Sequence, residues 1–181
     1  GRIARMLMRP MSLFESKESN GQVSLKDLFN GETNIGAKSD LTIEQIANAI
    51  CRGGWPAAVV SAKDSERTAI NYLDALINMD IQRVDGVEKD PERVRVLLQS
   101  LARNISTLAT AETIMGDMQV NEASITNKTL SSYLNALRRL FVIEDVPAWQ
   151  PSLRSKTAIR TSKKRQFVDP SIATAAMRSN S

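Results

Sequence analysis

The side chains best suited to chemistry in this sequence are short amides, hydroxyls and basic groups that recur at helical spacing. Seven of them fall on or beside one face of a predicted helix: Asn127, Lys128, Ser131, Ser132, Asn135, Arg138 and Arg139. These residue types hydrogen-bond to base edges and phosphates, which indicates contact with nucleic acid. The solvent-facing side of an ordinary amphipathic helix accounts for the same pattern, so both interpretations stay open.

A second group of candidates is a cluster of basic residues toward the C-terminus. The chain has 24 Lys and Arg against 20 Asp and Glu, a net charge of +4, but the charges are unevenly distributed. Residues 128–181 carry 10 basic and 3 acidic side chains, whereas residues 1–127 carry 14 and 17. The candidate phosphate contacts in the basic stretch are Arg154, Lys156, Arg160, Lys163, Lys164 and Arg165. A charged loop that only keeps the chain soluble is the alternative.

Histidine is absent and Cys51 is the single cysteine, which excludes several catalytic and metal-binding schemes for this chain alone. No Ser-His-Asp triad, Cys-His pair, His-ligated zinc site or internal disulfide can form. The phosphate-loop pattern GxxxxGK[ST] does not occur, and no catalytic, cofactor-binding or metal-binding residue is assigned. Because cysteine is sparse and no apolar segment reaches the length of a membrane span, we expect a cytoplasmic protein with no membrane partner.

The elements that must position the candidate residues are mostly helices. Thr42 and Gln45 form a capping-box pattern, and Gly53-Gly54 ends the helix that follows. Further helices are predicted over residues 65–80, from Asp90-Pro91 onward, over 110–118 and, with Thr126 as the cap, over 127–140. Strands are predicted within residues 3–14, 141–143 and 166–168, with a loop rich in Ser, Pro, Lys and Arg over 151–164.

Three helices followed by a strand, a basic loop and a returning strand are in the order of a winged helix. We therefore predict a mostly α fold: a helical linker or lid, followed by a winged helix-turn-helix with a small β-hairpin wing. Helix 127–139 would be the recognition helix, since the N-terminal part of such a helix usually enters the major groove. The basic segment 154–165 would be the wing.

Several segments, in order along essentially the whole chain, resemble one family. They are Gly1-Arg2-Ile3 with Arg9-Pro10-Met11-Ser12-Leu13-Phe14-Glu15, Cys51-Arg52-Gly53-Gly54-Trp55-Pro56, Tyr72-Leu73-Asp74 with Asp80-Ile81, Ser131-Ser132-Tyr133-Leu134 with Leu137, and Lys164-Arg165-Gln166-Phe167-Val168-Asp169. The ordered set is similar to prokaryotic AAA-type ATP-binding proteins, in which a P-loop ATPase core is followed by a C-terminal domain of unknown function.

The resemblance implies a division of the chain. Residues 1–40 would be the end of the ATPase core and a connecting loop, 41–88 a helical linker or lid, 89–169 the winged-helix domain, and 170–181 a tail that starts a further domain. The family's Walker motifs have no counterpart here, so ATP and Mg²⁺ would belong to the parent protein. We therefore expect no enzymatic activity and no cofactor in this chain.

Two hypotheses of function follow. The leading one is a non-catalytic fragment of such an ATP-binding protein, whose winged helix contacts double-stranded DNA through helix 127–139 and wing 154–165. The alternative is a protein-interaction module that packs on its own ATPase core or on a neighbouring subunit, which makes an oligomer possible. Exposed apolar side chains near Leu7, Met8 and Phe14 would favour the alternative.

Overall fold

Helices account for most of the described residues, as the apolar periodicity predicts. The computed structural model describes residues 3–4, 6–61, 65–148 and 163–178. In chain order the elements are α1 Leu25–Phe29, α2 Ile43–Arg52, α3 Pro56–Val60, α4 Ser65–Ala75, a π-helical turn Leu76–Asp80, α5 Ile81–Arg83, α6 Pro91–Arg103, α7 Ala111–Val120, α8 Asn127–Arg139, β1 Ile143–Val146, β2 Lys164–Phe167 and α9 Pro170–Arg178. The predicted mostly α class with a small antiparallel sheet is confirmed for these residues.

Side-chain caps fix where several helices begin. The predicted capping box is present, since the Gln45 N–H donates to the Thr42 hydroxyl at 3.2 Å and the Thr42 N–H donates to Gln45 Oε1 at 2.8 Å. Asp90, Thr110 and Thr126 cap α6, α7 and α8 with their own side-chain oxygens. Each cap satisfies an N–H group that the first turn leaves without a helical partner. These predicted helix starts are confirmed.

One hydrophobic core runs from α4 to α9. Its largest fully buried apolar side chains are Leu76, Ile77, Ile81, Val94, Leu97, Leu98, Ile114, Met118, Leu130, Leu137 and Ile172. Helix α9 packs against both α4 and α6, and so it joins the ranges 41–88 and 89–169 that the resemblance separates. The domain boundaries stay a prediction, but residues on both sides share this core.

Residues 170–178 form helix α9 where the sequence leads us to expect a tail. Ser171, Ile172, Ala173, Ala175 and Ala176 are all buried. The sequence at its start, Asp169-Pro170, repeats the helix start at α6, with proline in the first turn. Because most of its buried side chains are small, α9 can approach α4 and α6 closely. It is therefore part of the core.

The β1–β2 hairpin is antiparallel and rests on the helices. Ile143 lies opposite Phe167, and both side chains are buried. The Ser106 N–H, between α6 and α7, donates to the Arg165 carbonyl oxygen at 3.0 Å. Strand β1 begins two residues later than predicted, because Phe141 and Val142 first close the C-terminal end of α8 through their N–H groups.

The N-terminal segment differs from the expectation of a strand within residues 3–14. Its described residues belong to no sheet, and residues 13–17 form turns. The Met11 N–H donates to the Gly54 carbonyl oxygen at 2.7 Å. A strand requires a partner strand, and the described ranges place none beside this segment. The strand prediction is wrong for these residues.

Candidate nucleic-acid interface

Helix α8 turns one face to the core and the opposite face to solvent. The buried face consists of Leu130, Tyr133, Leu134, Ala136 and Leu137. The Thr129 N–H donates to the Thr126 hydroxyl at 3.2 Å, which caps the helix. The Asp90 N–H donates to the Tyr133 hydroxyl at 3.0 Å, which ties α8 to the start of α6. These contacts fix the rotation of α8 about its axis, and thus which side chains face solvent.

Most of the predicted contact residues of α8 lie on its solvent-facing side. Asn127, Lys128, Ser131, Asn135 and Arg139 are exposed, whereas Ser132 and Arg138 are half-buried. The helix contains no acidic residue. Lys128 lies in the first turn, where the partial positive charge of the helix dipole adds to its own charge. Amides, a hydroxyl and positive charge therefore share one surface, which suits a partner rich in phosphate.

Arg138 is held within the protein by the hairpin. Its Nε donates to Asp145 Oδ2 at 2.9 Å, and its Nη2 lies 2.8 Å from the same oxygen. Its Nη1 donates to Asn135 Oδ1 at 2.9 Å. Since Asp145 lies on β1, this ion pair connects the predicted recognition helix to the hairpin and neutralises one of its cations.

Arg165 reaches the same carboxylate from β2. Its Nε lies 3.7 Å from Asp145 Oδ1, and its Nη1 donates to the Ala109 carbonyl oxygen at 3.2 Å. Asp145 Oδ1 and Arg165 Nε are buried and have no hydrogen-bond partner among the described residues. Asp145 therefore lies between two arginines, one of which it contacts closely and the other loosely.

Two of the remaining predicted contact residues, Lys163 and Lys164, lie at the start of β2. Lys163 and Lys164 are exposed and form no ion pair with any residue that the structure describes. Arg154, Lys156 and Arg160 fall outside the described residues, so their assignment stays a prediction.

The second carboxylate of β1 pairs with the N-terminal segment. Arg9 donates two hydrogen bonds to the carboxylate oxygens of Glu144, at 2.9 and 2.7 Å. The hydrogen bond from Arg9 lowers the pKa of Glu144 below its ordinary value, with a smaller coulombic contribution. Both acidic residues of β1 are thus paired, which leaves Lys163 and Lys164, at the start of β2, as the exposed charges of the described part of the hairpin.

No group of three or more Cys, Asp or Glu side chains within the described residues is arranged to hold a metal ion. No helix in the described ranges is long and apolar enough to cross a membrane.

Sequence reasoning missed a buried carboxylate that joins α9 to the turn after α2. Asp169, which is 1% exposed, accepts hydrogen bonds from the Gly54 N–H at 2.8 Å and the Ser171 N–H at 2.9 Å. The Trp55 Nε1–H donates to the Ser171 hydroxyl at 2.9 Å. A Cβ at Gly53, whose φ is +73°, would overlap the Asp169 carboxylate. The glycine pair thus makes room for this contact as well as ending α2.

The part of the chain that carries the candidate interface matches a known protein family. A family model described as "Domain of unknown function (DUF8612)" matches residues 43–181. No curated protein and no solved structure shows a significant match. The matched range includes α2 to α9 and all the candidate contact residues, from Asn127 to Arg165.

Proposed function

This chain belongs to the DUF8612 family, and we propose that its C-terminal part is a winged helix that binds double-stranded DNA. In this proposal α6, α7, α8 and the hairpin form the winged helix, and the basic segment 154–165 is its wing. The observation that carries the proposal is the exposed face of α8, where Asn127, Lys128, Ser131 and Asn135 meet no acidic neighbour on the helix. The chain would then be a non-catalytic part of a AAA-type ATP-binding protein.

The two kinds of side chain on this surface would have different roles. Lys128, Lys163 and Lys164 are exposed and lack carboxylate partners within the described ranges, so they are suited to phosphates. Neutralising phosphates releases condensed counterions, and the affinity should fall steeply as salt rises. The amides and the hydroxyl of Asn127, Asn135 and Ser131 can hydrogen-bond to base edges in the major groove.

Fluorescence anisotropy of a labelled duplex of about 20 base pairs tests this proposal. With about four phosphate contacts, raising the salt from about 50 to about 200 mM should weaken binding about a hundredfold. The triple variant Lys128→Glu, Lys163→Glu, Lys164→Glu should lose measurable binding at the lower salt.

The control makes the same change in total charge at exposed sites outside α8 and the hairpin: in α1, between α1 and α2, and in α5. The triple variant Lys26→Glu, Lys38→Glu, Arg83→Glu should retain most of the affinity, since it leaves α8 and the hairpin intact. No binding by the wild-type chain at the lower salt would overturn the proposal, as would equal losses in the two triple variants.

A second candidate function, a protein-interaction module, is favoured by apolar side chains that the N-terminal segment exposes. Ile3, Met6 and Met8 are 90%, 94% and 91% exposed, and Phe14 and Phe29 are exposed as well. Helix α1 has no buried residue. Exposed large apolar side chains are unfavourable in water, and a group of them typically marks a contact with another folded unit. The partner would be the ATPase core that the resemblance implies, or a neighbouring subunit.

Light scattering and titration with a separately produced ATPase core of the parent protein test this second candidate. We expect self-association or binding to the core, and the variant Met6→Ser, Met8→Ser, Phe14→Ser should weaken it. The matched control, Leu108→Ser, Val120→Ser, Met177→Ser, removes three exposed apolar side chains elsewhere and should bind as the wild type does. A strict monomer without affinity for the core would contradict the candidate.

A further inference from the structure

Two arginines of the candidate interface surround a single carboxylate. The same two guanidinium groups are also suited to binding a phosphate from outside the protein. Arg138 approaches Asp145 from α8, and Arg165 approaches it from β2. Planar guanidinium groups bind phosphates and carboxylates with the same fork of N–H donors. We propose that Arg138 and Arg165 form a binding site for one DNA phosphate, and that Asp145 occupies this site in the DNA-free protein and thereby lowers DNA affinity.

The Asp145 carboxylate binds Arg138 closely but does not form a hydrogen bond with Arg165. Asp145 Oδ2 lies 2.8 and 2.9 Å from two nitrogens of Arg138, whereas Oδ1 is 3.7 Å from Arg165 Nε. The two atoms across this longer gap are buried and without hydrogen-bond partners. A buried polar atom without a hydrogen-bond partner is unfavourable, even where other atoms of the same group are bonded. A phosphate group is larger than a carboxylate and carries its oxygens at tetrahedral angles, so it can reach both guanidinium groups at once.

The site also lies beside exposed residues of the candidate interface. Arg138 lies one helical turn from the exposed Asn135 of α8, and Arg165 follows the exposed Lys164 on β2. The side chains of Arg138 and Arg165 are 32% and 25% exposed, and that of Asp145 is 19% exposed. Parts of both arginine side chains are therefore open to solvent, and a phosphate would reach the buried Arg165 Nε by displacing the Asp145 carboxylate. This inference rests on the proposed DNA binding, and it adds a named phosphate site and an internal competitor.

Removing the charge of Asp145 tests the inference against a matched neighbour. Asp145→Asn keeps the shape of the side chain and frees the two arginines, so we expect about tenfold tighter binding of the labelled duplex and a salt slope steeper by about one unit. Glu144→Gln makes the same change in charge one residue away on β1, but its partner is Arg9. It should change the affinity by less than about twofold.

The outcomes separate the inference from the proposed function. If Asp145→Asn binds no more tightly than Glu144→Gln, the inference is wrong while DNA binding by the wild type stands. If neither the wild type nor Asp145→Asn binds at the lower salt, both are overturned. If Asp145→Asn does not fold, as judged by circular dichroism, NMR of the wild type tests the inference instead. Its Arg138 and Arg165 Nε–H resonances should shift when duplex is added, and unchanged resonances would overturn the inference.

Discussion

Phe141 is a bulky residue in a backbone conformation that usually belongs to glycine. Its φ is +55°, and it follows the C-terminal end of α8. Its N–H donates to the Arg138 carbonyl oxygen and that of Val142 donates to the Leu137 carbonyl oxygen, which is the Schellman pattern of a helix end. The ring is 63% exposed. Neither the backbone conformation nor burial in the core therefore favours phenylalanine at this position.

We expect Phe141→Gly to be more stable than Phe141→Ala by about 1 kcal/mol, because glycine adopts a positive φ without the steric penalty of a Cβ atom. Both variants lose the ring, so the difference between them reports the backbone alone. Urea unfolding of the two variants measures it. Equal stability would show that the left-handed conformation at residue 141 carries no such penalty.

At the scale of elements, the Glu18–Arg52 pair fastens the N-terminal segment to the end of α2. Arg52 donates two hydrogen bonds to Glu18, at 2.9 and 2.8 Å, and the Ser16 hydroxyl donates a third at 2.6 Å. The hydrogen bond from Arg52, followed by that from Ser16, lowers the pKa of Glu18 below its ordinary value of 4.5. The pair therefore favours the folded state while Glu18 is ionised.

The pH dependence of stability checks this link. A carboxyl group with a lowered pKa in the folded state contributes stability above its unfolded pKa, and this is lost as pH falls through the folded pKa. Glu18→Gln should therefore reduce the free energy of unfolding most near pH ~7, with a difference from the wild type that shrinks toward pH ~3. Glu88→Gln, at an exposed position, serves as the control. A difference for Glu18→Gln that stays constant over this pH range would contradict the link.

Local signals explain which elements the sequence predicts. The starts of α2, α6, α7 and α8 follow from a capping side chain a few residues from the N–H groups it satisfies, so a short window contains the cause. The strand expected within residues 3–14 fails because a strand depends on a distant partner. Helix α9 was predictable from Asp169-Pro170, since the same dipeptide type marks α6.

In the candidate site, too, local features could be predicted from the sequence and long-range contacts could not. The exposed face of α8 follows from helical periodicity, and the exposure of Asn127, Lys128 and Ser131 agrees with it. The pairing of Arg138 and Arg165 with Asp145 brings three elements together, and no spacing along the chain encodes it. Counting the two arginines as exposed cations therefore overstates the free positive charge of the interface.

At the scale of the whole molecule, the packing of α9 explains why one core spans ranges that the resemblance assigns to different domains. Ile172 is fully buried, and α9 packs against α2, α4 and α6. The Asp169 carboxylate adds a polar link, because it accepts a hydrogen bond from the Gly54 N–H at the turn after α2. Stability of the linker range 41–88 should therefore depend on residues near the C-terminus of the described chain.

Native-state hydrogen exchange on the variant Ile172→Ala measures this dependence. Removing a fully buried isoleucine side chain typically reduces stability by about 2–5 kcal/mol. Since α9 contacts both ranges, the amides of α4 and α6 should lose protection together and by similar amounts. Met177→Ala, which truncates an exposed side chain of the same helix, should leave both unchanged. Loss of protection in only one of the two helices would show that the ranges unfold independently, as separate domains do.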